Sequence, residues 1–374
     1  MIRMNLDNIS AIAIPEGNVK AIHNADNIML WHRPKVYGVY WDGGSSATMT
    51  RTDDSANFAS PTIGTGTTLG SSPFDNCYPW KCIEKVTDGN NVLVKIPKFW
   101  YKWTNDSGAL TLQIADKPVN GFYTSPMHAD KGDGIGERDY TYIGRYKCAA
   151  STYYSQSGKY HQTTMTIGDA RTKIASLGDG YHQFDYAAFW TLRMLYLVEF
   201  ANWDANAAIP RTSTPESSDT LMNGWTDSMT YHTGTSANGY SNQYRWVEDP
   251  WMNRLEWCDG IYFNNGKVYC INNPVDMGDM TKGTFVATMP KNHGYIKNWS
   301  VPTVSGYEYA LFPSSVDSST STYIPDYFYQ DSGNVLYTGG ARSILTQHGA
   351  FFLYCDFTAT DTSSAIGTRI IKLP

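Results

Sequence analysis

The sequence predicts an α+β fold: short antiparallel strands, two main helices and long loops, preceded by a small β module. Several runs alternate apolar and polar residues between Gly, Asn and Asp turns, as half-buried strands do. Two stretches, 163–178 and 183–204, carry apolar residues at helical spacing. Long segments rich in Thr, Ser, Asn and Gly separate them and show no period.

Taken in order, residues 1–33 read as an N-terminal β attachment module. "ISAIAI", "VKAI" and "IMLW" are strand-sized runs divided by the turns "PEGN" and "HNADN". So small a unit has little core of its own and is expected to pack against copies or a partner. Arg33-Pro34 marks the junction. Residues 34–139 form a β-rich, loop-rich part of the main body. "KVYGVYWDGG" opens it as a strand with alternating aromatics, and 45–79 read as surface loops. "NVLVKIPKFWYKW" and "ALTLQIA" read as a hairpin across "TNDSG".

Residues 140–374 hold the rest. "YTYIGRYKCAA" is a strand. "TTMTIGDARTKIASLG" sets Ile167, Ala170, Ile174 and Leu177 on one helical face and stops at Gly178. "QFDYAAFWTLRMLYLVEFANWD" is largely apolar and reads as the central core helix. "DGIYFNNGKVY" reads as a hairpin turning at Asn264-Asn265-Gly266. Residues 205–245 and 273–335 read as loop-rich, and short strands with glycine turns close the chain.

The 374 residues suffice for two or three domains. A net charge of -6 without a Lys/Arg cluster argues against nucleic-acid binding, which needs a basic stripe. No apolar run approaches a membrane span, and the N-terminal residues lack a signal-peptide core. The 27 Tyr and 12 Trp bury a ring while keeping a polar tip. That excess suits a polar ligand surface or an extensive interface, and equally a β-rich interior.

Site chemistry is sparse. Cys77, Cys82, Cys148, Cys258, Cys270 and Cys355 form no CxxC pair, so buried free thiols are expected, although Cys258 and Cys270 flank a hairpin and could approach. "HADKGDGIGERDY" gathers Asp130, Asp133, Glu137 and Asp139 on a glycine-rich turn, as a calcium loop would. It lacks the EF-hand spacing, and Lys131 and Arg138 dilute its charge, so a surface turn is favoured. There is no GxSxG, and no His, His348 included, sits in a recognisable nucleophile context. Glu199 and Glu256 could serve glycan hydrolysis only if brought together. No catalytic residue, cofactor or metal is expected.

"EWCDG", "GGARS" and "IGTRIIKL" follow the aromatic helix in an order that resembles the formylglycine-generating-enzyme branch of the C-type lectin fold. The matching pieces are Glu256-Trp257, Gly339-Gly340-Ala341-Arg342-Ser343 and Gly367-Thr368-Arg369. That resemblance implies a C-type-lectin-like domain over 140–374. It does not imply oxidase activity, because Cys355 stands alone where those enzymes carry paired cysteines. Nor does it imply calcium-dependent sugar binding, because the "EPN", "QPD" and "WND" triplets are absent. The branch includes variable proteins of diversity-generating retroelements and phage receptor-binding proteins.

"VYGVYWDG", "SPFDNCYPW", "GDGIGERDYTYIGRY" and "LYLVEFANW" further resemble tail-associated proteins of phages and prophages from gut bacteria, and "IPEGNVKAI" resembles their attachment modules. The resemblance implies a phage tail receptor-binding protein, made in the host cytoplasm without a signal peptide and carried on the virion tail. Its partners would be a bacterial surface receptor, protein or glycan, and other tail proteins through residues 1–33. A homotrimer is expected, with no nucleic acid and no membrane insertion. Contact candidates are Arg342, Ser343, Thr346, Gln347, His348, Tyr354, Asp356, Thr358 and Asp361, about half facing outward by strand alternation. The alternatives are a glycan-degrading tail enzyme and a purely structural tail component.

Overall fold

The computed structural model describes residues 21–23, 29–44, 46–212, 221–319, 322–342, 344 and 346–374. The chain is mostly β, with 35% strand and 12% helix, in large curled sheets and a half-barrel. This corrects the α+β, C-type-lectin-like expectation with its two main helices. Both helices form, but they are short: α1 spans Ile167–Ala175 and α2 Tyr186–Phe200, and α3 adds only Ala205–Ala208. The difference lies largely in 273–335, read as loop, which contributes four strands. They are short, four to seven residues each, and pair with segments a dozen or more residues away, which no local period reports.

Local chemistry accounts for the helix ends. Thr166 and Asp169 form a reciprocal capping box at the start of α1. Asp185 accepts from the Ala188 N–H at the start of α2, and Ala201 ends it in the left-handed region at φ 52°. Helix α2 is buried along nearly its whole length and forms the centre of the core. Trp190 meets Trp103 edge-on at 6.0 Å and Trp299 at 5.4 Å, and Trp203 packs on Phe351 at 4.8 Å. Each ring so enclosed contributes about 1.5–3 kcal/mol of hydrophobic burial. One apolar core thus draws on residues from both 34–139 and 140–374.

Two five-stranded sheets flank it. One joins Val36–Trp41, Thr50–Asp53, Trp100–Asp106, Ala109–Ala115 and Tyr123–Thr124. The other joins Glu84–Asp88, Asn91–Pro97, Tyr140–Gly144, Tyr181–Gln183 and Ile370–Lys372. The alternating run 91–103 is therefore split between two sheets after Pro97, which cannot donate to a ladder. At the N-terminal end Ala21–His23 pairs with Met29–His32. Its exit is tied to the body by the Arg33–Asp54 ion pair and by Lys117 Nζ donating to the His32 carbonyl at 3.2 Å. The run "ISAIAI" lies outside the described residues.

The largest sheet has nine strands. In chain order they are β1 Leu255–Asn264, β2 Lys267–Cys270, β3 Thr284–Thr288, β4 Gly294–Ser300, β5 Phe312–Asp317, β6 Tyr327–Gln330, β7 Val335–Gly339, β8 Leu353–Cys355 and β9 Ile366–Gly367. The spatial order is β3-β2-β1-β7-β8-β6-β4-β5, with β9 parallel to β1. β1 and β2 form the hairpin turning at Asn265 (φ 49°) and Gly266 (φ 72°). A wide bulge between Cys258 and Tyr262, with Gly260 at φ 71°, bends β1 against β7 and curls the sheet. All six cysteines are free thiols, Cys258 and Cys270 among them.

Candidate functional site

One face of the nine-stranded sheet packs on α2; the other carries aromatic side chains in register. The pairings Tyr329 with Tyr354 and Tyr337 with Tyr354 set one row across β6, β8 and β7. His293, just before β4, extends it on the far side, stacked on Tyr329 at 4.8 Å and 22°. Tyr329 stacks on Tyr354 at 4.5 Å and 12°, and Tyr354 meets Tyr337 at 5.3 Å. A second row begins with Tyr295 paired to Tyr327 at 5.2 Å, and Phe352 stacks on Tyr354 at 4.8 Å. Period-2 alternation explains the arrangement, since Phe328, Leu353 and Cys355 point into the core between these rings.

The face changes character along its length. Tyr337 and Phe352 are buried against Trp257, Ile167 and Met165, under α1. Tyr354, Tyr329, Tyr327 and Tyr295 are half-buried, and His293 is exposed. Beyond His293 lies an open recess of about 670 Å³ lined by Lys291, Asn292, Asp317, Ser318 and Gln330 as well as His293. Burial, then the Asp356 charge, pushes the Tyr354 phenol up to about 12. Burial and a hydrogen bond to Asp356 raise Tyr337 as well. These phenols stay protonated at neutral pH and can both donate and accept.

The predicted contact residues divide sharply. Tyr354 sits in the aromatic row. Asp356 accepts from the Tyr337 hydroxyl at 2.8 Å, and the Gln347 amide donates to the Tyr295 hydroxyl at 3.2 Å. Thr346 is exposed, and Ser343 lies outside the described residues. The other positions hold loops together. His348 is buried, accepts from the Ala341 N–H at 2.9 Å and lies 4.0 Å from the Phe352 ring. Burial, with Arg211 nearby, lowers it to about 4, so it is neutral at physiological pH. Arg211 fastens the same loop by donating to the Ala341 and Arg342 carbonyls at 3.2 and 3.0 Å. Asp361 accepts from the Thr358 N–H at 2.7 Å and hydroxyl at 2.9 Å, closing a turn.

Tyr295, Tyr327, Tyr329 and His293 were not among the expected contacts. Their signal was present: "HGY" and "YFYQ" alternate aromatics inside a stretch without obvious period.

The polar motifs that carried the resemblance lead elsewhere. Glu256 on β1, Gly339 at the end of β7 and Gly367 on β9 meet in neighbouring strands. Arg369 then points inward, donating from Nε to Glu256 Oε1 at 3.0 Å. Its Nη1 donates to the Gly144 and Arg145 carbonyls at 2.9 and 3.0 Å, and its Nη2 to those of Glu248 and Asp249 at 2.9 and 3.1 Å. Lys147 Nζ reaches Glu256 at 3.0 Å, and burial lowers that amine to about 8. All three charged side chains are about 1% exposed, so this junction is internal. Glu199 is likewise buried, bonded to Arg245 and to the Tyr244 hydroxyl. The two carboxylates weighed for hydrolysis lie in separate closed networks.

On the 128–140 loop the carboxylates are held by partners within the chain, Glu137 meeting Lys98 at 3.6 Å beside Asp139. Asp130 accepts from the Gly132 N–H, Asp133 pairs with Arg138, and Asp139 with Lys98 at 2.9 Å. Among the described residues no three His, Cys, Asp or Glu side chains converge as metal ligands, and no helix is long and apolar enough to cross a membrane. No protein-family model matches the chain, and no curated protein matches it in sequence.

Proposed function

We propose that this chain is a phage tail receptor-binding protein whose recognition surface is the open tyrosine face of the nine-stranded sheet. The observation that carries the reading is the stacked row His293–Tyr329–Tyr354, whose two tyrosines are half-buried and braced by their neighbours while His293 stands exposed at its end. Tyrosines held by their neighbours give contact area at little cost in side-chain freedom. Gln347 and Asp356 fix two hydroxyls of the same face, which pre-organises it. The tail placement is supported by the sequence resemblance of the main body alone. The attachment role of residues 1–33 falls mostly outside the described residues.

Binding of the purified chain to intact cells from a panel of gut bacteria tests this. Saturable binding to some strains is expected, with half-saturation roughly tenfold weaker in Tyr354→Ala, as for truncation of an anchoring aromatic. Equal binding by Tyr354→Ala would remove the face from consideration, and release of surface polymer would point to an enzyme instead.

A further inference from the structure

We propose that the ligand taken by this face is a chain of neutral sugars, running along the His293–Tyr329–Tyr354 row into the recess beyond His293; this rests on reading the face as a recognition surface. Sugar rings present apolar C–H faces together with hydroxyls, so their sites combine aromatic rings with neutral donors and acceptors. The row supplies the rings. The recess supplies two amides, Asn292 and Gln330, the Ser318 hydroxyl, one ammonium on Lys291 and one carboxylate on Asp317. Asp317 also lies 3.7 Å from Lys297.

The charge balance favours a neutral polymer: Lys291 and Lys297 stand at the recess with Asp317, and Asp356 stands at the Tyr337 end of the row, so the concentration of cations that an anionic polymer requires is not present. The length favours several sugars over one. The row takes two ring-to-ring steps, of 4.8 and 4.5 Å, from His293 before β4 over β6 to β8, and the recess continues beyond it. A peptide is less suited. Along the row, β6 lies between β4 and β8 with its backbone paired on both sides, so an extended peptide has no strand edge to join there; the one edge nearby is β5, whose Asp317 lines the recess, and the protease arm below tests a peptide at that edge.

The experiment uses the labelled full chain with cells of each binding strain in three states: untreated, oxidised with periodate, and digested with protease. Polysaccharide extracted from a binding strain serves as soluble competitor. Periodate, which cleaves vicinal diols, should abolish binding, whereas protease should not. The extract should compete, with half-inhibition shifted about tenfold or more by His293→Ala or Tyr329→Ala. Tyr160→Ala, which removes an exposed ring outside the face, should match the parent. Thermal unfolding of each variant separates lost binding from lost fold.

Binding that survives periodate and disappears after protease would overturn the sugar assignment while leaving receptor recognition standing, with a protein as ligand. Unchanged competition by both face variants would overturn the location. Failure to bind any strain would overturn this inference and the proposed function together.

Discussion

Two regions of the molecule gather polar groups and do opposite things with them. In the junction around Arg369 every donor of the guanidinium is matched inside the protein, and nothing is left to offer a ligand. On the tyrosine face the rings brace one another, while hydroxyls and the exposed His293 remain at the surface. The contrast teaches that a conspicuous motif need not be a site. The "GTR" segment and Glu256 are visible because burying charge demands particular residues. Tyrosines on alternate strand positions are easily passed over, because the sheet, not the motif, assembles them.

The largest effect is expected where the comparison is broken at the junction. Glu256→Gln removes the carboxylate that, among the described residues, pairs with both Arg369 and Lys147, leaving two buried cations short of a counter-charge. A loss of about 3–5 kcal/mol is expected, read as a lower urea midpoint with unchanged slope. Cell binding, measured well below the unfolding temperature, should be retained. A loss below about 1 kcal/mol would show that the junction does not hold the sheet. Lost binding in a folded variant would blur the division between the regions.

Asp326 probes the link between core and face. It precedes β6, is fully buried, and accepts from the Phe351 N–H at 2.8 Å through one oxygen. Burial raises its pKa to about 8. An unfolded aspartate ionises near about 4, so between about pH 4 and pH 8 the folded state alone keeps this proton. Its contribution to stability is complete below about pH 4 and falls as pH rises to about 8, by at most about 1.4 kcal/mol per unit. Asp326→Asn lacks that slope. Its urea midpoint should gain steadily on the parent from pH 5 to pH 8, and parallel curves would refute the assignment.

The sequence showed the elements whose signals are local. The period of Ile167, Ala170 and Ile174 marks α1, and Asn265-Gly266 marks the β1–β2 turn. Glu256, Gly339 and Gly367, read in the sequence only as motif pieces in a resembling order, meet in adjacent strands. Those motifs report a junction, however, and not an architecture; extending them to a whole lectin-like domain was the step the mostly β structure overturned. The face was only partly legible. Its rings come from strands beginning at residues 294, 327, 335 and 353, and their register depends on pairings that no short window contains. Tyr354 reached the face through strand alternation, whereas His348 and Asp361 were polar residues in loops, with partners of their own.

The smallest effect sharpens the boundary between those two groups. Asp361 and Thr358 satisfy each other within one turn, and Asp361 is only partly exposed. Asp361→Ala leaves the Thr358 N–H to water, at an expected cost of about 0.5–1.5 kcal/mol, the usual worth of such a hydrogen bond. The turn follows β8 by a few residues, so a loosened turn could disturb Tyr354 only by shifting Asp356 and its bond to Tyr337. If the aromatic row is rigid through its own stacking, that shift is absorbed, and binding to cells should change less than twofold while Tyr329→Ala changes it tenfold. A tenfold loss in Asp361→Ala without unfolding would mean that the recognition surface extends past the strands into the 358–361 turn. The site would then include loop residues that the register of the sheet does not position.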